Sequence, residues 1–238
     1  MILEIIKRSK RLVLFDIDGT LVLTGRAGVR ALDRALFDVL GHKNGLDGIS
    51  IAGRTDRAII TDALNAAGIR VTDELILMVR DAYCAHLGGE VDADSPHPKL
   101  VLPGVVAALD ALAQQESDGD VAVGLLTGNF ARGAEIKLGY FDLWRRFRFG
   151  AFGDHHVSRR DLVPLAVEAA DRAGVGRFTL SQVVIVGDTP ADVDCAHAHG
   201  AKAIAVATGG FDEAALTATG ADVVVSDLLN WRAAWDQL

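Results

Sequence analysis

Apolar positions along this chain follow two different rhythms. From Leu102 onward, short and nearly uniformly apolar runs at Val121–Leu126, Val183–Val186, Ala203–Val206 and Asp222–Val225 alternate with stretches in which apolar residues recur every three or four positions. The runs predict buried strands, with one more strand predicted near 147–152, and the intervening spacing predicts helices. Nearly uniform apolarity suits parallel strands covered on both faces. Strands and helices in alternation point to repeated crossovers in a parallel sheet. Pro103-Gly104 opens one such helix, with Val105, Val106, Leu109 and Leu112 at helical spacing. Near the start, Leu12-Val13-Leu14-Phe15 is a run of the same buried-strand kind.

Between that first strand and Pro103 the rhythm is helical throughout. Val29, Leu32, Leu36, Val39 and Leu40 define one stripe over 27–40, and similar stripes run through 56–67 and 73–88. This predicts a helical insertion, entered near Leu21–Gly28 and left through an extended linker at Asp92–Leu102 that is rich in Asp, Ser and Pro. The division expected is a core of residues 1–22 and 101–238 and an inserted unit of residues 23–100. Gly25 and Gly28, beside Thr24 and Arg26, would supply the backbone freedom of a hinge.

Composition narrows the partners. Half of the 238 residues are hydrophobic and the net charge is −8, which favours a folded protein and disfavours nonspecific attraction to nucleic acid or anionic membranes. Neither Cys84 nor Cys195 has metal-ligand spacing, so both are expected as buried free thiols in a reducing compartment. The first residues, Met1–Arg8, lack the long uncharged apolar stretch of a secretory signal. The expectation is a cytoplasmic monomer or homodimer. The histidines, His197 with His199 and His155 with His156, lack zinc-ligand spacing and receive no catalytic role.

Chemistry gathers at strand ends. Asp16-Ile17-Asp18-Gly19-Thr20 follows the first strand, Thr127-Gly128-Asn129 follows Val121–Leu126, and Gly187-Asp188-Thr189-Pro190-Ala191-Asp192 follows Val183–Val186. Open α/β sheets place ligands at the carboxyl ends of their strands. In this order the three segments resemble the motifs of the haloacid dehalogenase-like phosphohydrolase superfamily: an Asp-x-Asp-x-Thr segment, a strand-end Thr or Ser, and a strand-end acidic pair. The resemblance implies an α/β, Rossmann-like parallel core with helices on both faces, an α-helical cap at the insertion, and an architecture like that of phosphoglycolate phosphatases.

Within that frame Asp16 is the expected nucleophile, since a carboxylate can attack phosphorus and form an aspartyl-phosphate. Asp18 suits the general acid and base. Carboxylates converging from different strands require a hard cation between them, so Asp188 is expected to bind Mg²⁺; the resemblance adds the Asp16 side chain and the Asp18 carbonyl as ligands. Asp192 is expected to support the metal site, with capping of the following helix as the alternative. Thr127, Gly128 and Asn129 are expected to cradle phosphate at a helix N-terminus, with helix capping again the alternative. The family's usual Lys before the acidic-pair strand is replaced by Ser158-Arg159-Arg160-Asp161. Arg159 is the expected cation, with Arg160 the neighbouring alternative. Arg54, in the loop before the second helical stripe, is a candidate for a substrate carboxylate or second phosphate.

The function expected is therefore a Mg²⁺-dependent phosphatase acting on a small phosphorylated metabolite. A phosphomutase of the same fold is the alternative, and a noncatalytic phosphate-binding module is a weaker one. Dehalogenase chemistry is disfavoured by the presence of both Asp18 and Asp188.

Overall fold

A computed structural model describes residues 10–238. The reading of Met1–Arg8, and with it the first part of the expected core, lies outside the described residues. In chain order the elements are β1 (Arg11–Phe15), β2 (Val22–Thr24), α1 (Ala27–Leu40), α2 (Asp56–Ala66), α3 (Asp73–Asp92), β3 (Lys99–Val101), α4 (Val105–Ser117), β4 (Val121–Leu126), α5 (Ala131–Tyr140), β5 (Gly150–Ala151), α6 (Leu162–Arg172), β6 (Val183–Gly187), α7 (Pro190–His197), β7 (Lys202–Val206), α8 (Glu213–Ala218), β8 (Val223–Val225) and α9 (Trp231–Trp235).

Six strands form one parallel sheet in the order β5-β4-β1-β6-β7-β8. Successive residues of β1 point to opposite faces, as strand geometry requires. Val13 and Phe15 pack with Leu109, Leu138 and Trp231 on one face, while Leu12 and Leu14 pack with Ala166 and Cys195 on the other. Both faces are thus sealed by helices, which explains why the strand runs are uniformly apolar. β1 lies between β4 and β6, so the connections on its two sides diverge and leave the crevice where such sheets carry their sites.

The insertion is held at its base by a pair of strands that the hydrophobic pattern does not reveal. β2 and β3 pair antiparallel, Val22 with Val101 and Thr24 with Lys99. At three residues each they are too short to display alternation, so the expected extended linker is in part a strand. Between them stand α1, α2 and α3, with α3 running on to Asp92. These helices bury their own cluster, including Leu36, Ile60, Leu64, Val79 and Leu87, into which Phe130 is inserted from the start of α5. Buried Glu90 accepts ion pairs from Arg30 at 2.6 Å and Arg34 at 2.8 Å, tying α3 to α1.

Two expectations need correction here. Gly25 and Arg26 adopt left-handed φ values of 63° and 60°, whereas Gly28 lies within α1, so the bend is made by residues 25–26. The strand expected at 147–152 is reduced to Gly150–Ala151, because it sits at the sheet edge and pairs only with the end of β4.

Candidate active site

Three adjacent strands bring their polar ends together. Asp16 leaves β1 with its N–H still donating to the Val186 carbonyl at 2.9 Å, which fixes its carboxylate beside β6. The chain then turns tightly, with the N–H groups of Thr20, Leu21 and Val22 all converging on the Ile17 carbonyl. Gly19 takes φ 84°, and a side chain there would strike the Asp188 carboxylate. The Thr20 hydroxyl donates to Asp188 at 3.0 Å. The Asp-x-Asp-Gly-Thr spacing therefore does geometric work: its first acid points toward β6, its glycine clears room, and its threonine holds the acid of the next strand.

Asp16, Asp188 and Asp192 lie with carboxylate oxygens within 4.8 Å of one another, all buried. Arg159 reaches Asp16 at 3.0 Å and Asp192 at 2.6 Å. One guanidinium, paired with Asp16 and Asp192, thus faces a cluster of three carboxylates, and the imbalance shows at Asp16 and Asp188. Burial pushes the Asp16 carboxyl up to about 6 despite Arg159, with Asp192 and Asp18 adding to the rise. Burial, followed by the charges of Asp16 and Asp192, raises Asp188 well above the usual carboxylate range. Arg159, buried between Asp16 and Asp192, is held firmly in its charged form. A buried set of hard oxygen donors with surplus negative charge fits Mg²⁺.

Arg159 and Arg160 separate cleanly. They occupy a 3₁₀ turn, Arg159–Asp161, in which neighbouring side chains diverge by about a third of a turn. Arg159 enters the acid cluster and its Nε is buried with no partner among the described residues. Arg160 is exposed and pairs with Asp194. Asp192 combines both of its expected readings: one oxygen takes Arg159, and the other accepts the N–H and hydroxyl of Thr189 in a capping box at the start of α7.

On the β4 side the residues are Thr127, Asn129, Asp18 and Lys137. Lys137 Nζ lies 2.6 Å from Asp18 Oδ2 and 2.6 Å from Asn129 Oδ1. Asn129 Nδ2 donates to Asp18 at 2.9 Å and to Thr127 Oγ1 at 2.7 Å. The Asp18 side chain remains 44% exposed and faces the cavity. Sequence reasoning missed Lys137. Its signal was a lysine on the apolar face of α5, spaced with Gly133, Ala134 and Leu138, all buried. Asn129, expected as a substrate contact, has both ends of its amide engaged by protein.

The helix N-terminus expected to meet phosphate is in part served by protein carboxylates. The Phe130 N–H donates to Asp56 at 2.8 Å and the Ala131 N–H to Asp154 at 2.8 Å. Neither Thr127 nor Asn129 caps α5, so the capping alternative is not realised either. Burial lifts the Asp56 carboxyl to about 6, against the opposing charge of Lys137.

The insertion reaches this loop directly. Asp56 N–H donates to the Gly128 carbonyl at 2.7 Å, and the Thr55 hydroxyl caps α2 through Ala58 while donating to the Val157 carbonyl at 3.1 Å. A side chain at Gly128 would overlap the Arg54 carbonyl. Arg54 itself pairs with Asp62 at 2.7 Å. A cavity of about 810 Å³ joins Asp16, Asp18, Thr127, Arg159 and Asp188 to Arg54, Leu32, Ile59 and Tyr83. Gly209 and Gly210, which follow β7, also line it. Both cysteines are free thiols; Cys195 is buried as expected, but Cys84 is only half-buried. No helix among the described residues is long and apolar enough to cross a membrane.

A parallel α/β core with clustered aspartates after β1 and β6, and a helical insertion after β1, defines a haloacid dehalogenase-like fold. The HAD-hydrolase-like family model matches residues 160–231, the segment that carries Asp188 and Asp192. A phosphoglycolate phosphatase from Pseudomonas putida is 26% identical over 232 residues, covering 92% of this chain and 77% of that protein. Among solved structures, a predicted phosphoglycolate phosphatase from Haemophilus somnus superposes with a TM-score of 0.65 at 19% identity, covering 96% of this chain and 98% of that one. A β-phosphoglucomutase from Clostridium difficile gives 0.67 at 15% identity, covering 96% of each. The chain is thus similar to haloacid dehalogenase-like hydrolases in its fold, in the segment that the family model matches and along most of its length.

Proposed function

We propose that this hydrolase is a Mg²⁺-dependent phosphatase that releases phosphate from a small phosphomonoester through an aspartyl-phosphate on Asp16. The supporting observation is the buried cluster of Asp16, Asp188 and Asp192 around Arg159, facing Asp18 across a shared cavity. Mg²⁺, held by Asp16, Asp188 and the Asp18 carbonyl with Asp192 behind them, would supply charge to offset repulsion between the nucleophile and the phosphate dianion. An oxygen of Asp16 attacks phosphorus, and the bond from phosphorus to the ester oxygen breaks. Asp18, entering this step with a proton, gives it to the departing oxygen. The resulting Asp18 carboxylate then takes a proton from water, whose oxygen attacks phosphorus and frees phosphate and Asp16. In this reading Thr127 and Arg159, whose Nε has no partner among the described residues, hold phosphoryl oxygens.

In this reading residues 23–100 are a cap over a core of 1–22 and 101–238, and the enzyme is cytoplasmic. The name carried by the curated relative makes phosphoglycolate the first substrate to try, with Arg54 leaving Asp62 to meet the carboxylate. The likeness to a β-phosphoglucomutase supports a second reading, in which the phosphoryl group returns to a sugar hydroxyl. Interconversion of sugar phosphate isomers without net phosphate release would select it.

Asp16→Asn and Asp18→Asn are each expected to lower Mg²⁺-dependent release of phosphate from p-nitrophenyl phosphate by about a thousandfold or more. Wild-type turnover by either variant would overturn the assignment.

A further inference from the structure

The hydrogen bonds around Lys137 have only one possible direction. An ammonium donates and never accepts, so the atom of Asn129 that meets Lys137 at 2.6 Å must be the amide oxygen. The amide nitrogen then faces the opposite way, toward Asp18 at 2.9 Å and Thr127 Oγ1 at 2.7 Å. Thr127 Oγ1 also accepts the Asn129 backbone N–H at 3.3 Å. With two N–H groups on its oxygen, the Thr127 hydroxyl can only donate its proton outward, and it finds no acceptor among the described residues. Thr127 lines the same cavity as Asp16 and Arg159.

We infer that Lys137 is a positioning residue that sets, through Asn129, the donor sense of the Thr127 hydroxyl toward a phosphoryl oxygen and fixes the rotamer of Asp18. This rests on the phosphatase reading for its chemistry and adds a residue outside the strand-end motifs. Lys137 is 4% exposed, with its charge covered by Asp18 and Asn129. It acts through those neighbours and need not touch substrate. The effect belongs to the transition state, where charge develops on the phosphoryl oxygens, so it is expected in kcat more than in KM.

The test compares Lys137→Met, Lys137→Arg, Asn129→Asp and the double variant Lys137→Met with Asn129→Asp. Turnover of p-nitrophenyl phosphate and binding of orthovanadate are measured at saturating Mg²⁺, with melting curves to establish folding. Lys137→Met is expected to lower kcat by about a hundredfold, change KM by less than about threefold and weaken orthovanadate at least tenfold. Lys137→Arg should recover most of the loss. Asn129→Asp, which offers Thr127 only an acceptor and reverses its proton, should match Lys137→Met and carries the test should that variant not fold. The double variant should lose little more than the worse single one, as expected of residues acting as one unit.

Near-wild-type kcat in Lys137→Met or Asn129→Asp, or losses that multiply in the double variant, would overturn the inference. A wild-type protein that hydrolyses nothing but binds orthovanadate, with that binding weakened in Lys137→Met and recovered in Lys137→Arg, would instead sink the phosphatase reading and leave this one standing. If wild type neither binds orthovanadate nor turns over, both fall.

Discussion

On the β6 side of Asp16, three buried carboxylates face a single guanidinium, whereas on the β4 side one carboxylate, one ammonium and one amide satisfy one another. The first group carries surplus negative charge in a buried setting, and the raised pKa values of Asp16 and Asp188 record the cost of leaving it so. The second is complete within itself. Charge imbalance marks a place built around an added cation, and closed hydrogen bonding marks a place built to hold direction.

The sharpest way to break this contrast is to remove the lone cation of the unbalanced side. Arg159→Gln is expected to lower kcat by about a hundredfold or more, while Arg160→Gln, which loses only an exposed pair with Asp194, should stay within about twofold of wild type. Steady-state assays with p-nitrophenyl phosphate check both. Equal losses from the two would show that the 3₁₀ turn does not sort the arginines as described.

Next in size is the thermal response to metal. Mg²⁺ at about a hundred times its dissociation constant contributes about 2.7 kcal/mol to stability, which for a chain of this size raises Tm by about 5–10 °C. Asp188→Asn should abolish most of that rise and should melt higher than wild type in chelator, since it relieves repulsion. A Tm indifferent to Mg²⁺ in the wild type would contradict the cation site.

Smallest is the effect of pH without metal. Asp16 and Asp56 are each lifted from 3.8 to about 6, and Asp188 is raised as well. The folded protein therefore binds these protons more tightly than the unfolded chain. For Asp16 and Asp56 that contribution to stability is full below pH 3.8 and is lost as pH rises through about 6, and the raised Asp188 adds in the same direction. In chelator these groups should cost about 1–3 kcal/mol between pH 5 and 7.5, read as a falling Tm. Mg²⁺ should shrink the fall by restoring charge balance at Asp16 and Asp188. Asp56→Asn, which keeps an acceptor for the Phe130 N–H, should shrink it in part with or without metal. A flat profile in chelator would refute the imbalance.

Much of the core was legible because each of its signals is local. Uniform apolar runs mark strands sealed on both faces, and the acids sit immediately after them, so the convergence of Asp16, Thr127 and Asp188 follows once the strands are ordered. What escaped notice depends on contacts between distant segments. β2 and β3 exist only as partners of each other. Lys137 reads as one more polar residue in a helix until Asp18 and Asn129 are placed beside it. The N-terminus of α5 looked open to anions because nothing in Thr127–Phe130 announces that Asp56 and Asp154 arrive from elsewhere to fill it.

The close fit of Gly128 beneath the Arg54 carbonyl has a consequence for how this architecture can be recombined. The seam between insertion and core lies partly at the chain crossings near β2 and β3 and partly here, some thirty residues into the insertion. A chimera that grafts a foreign insertion onto this core must therefore bring a compatible 53–56 loop, or meet a glycine platform shaped for a different guest.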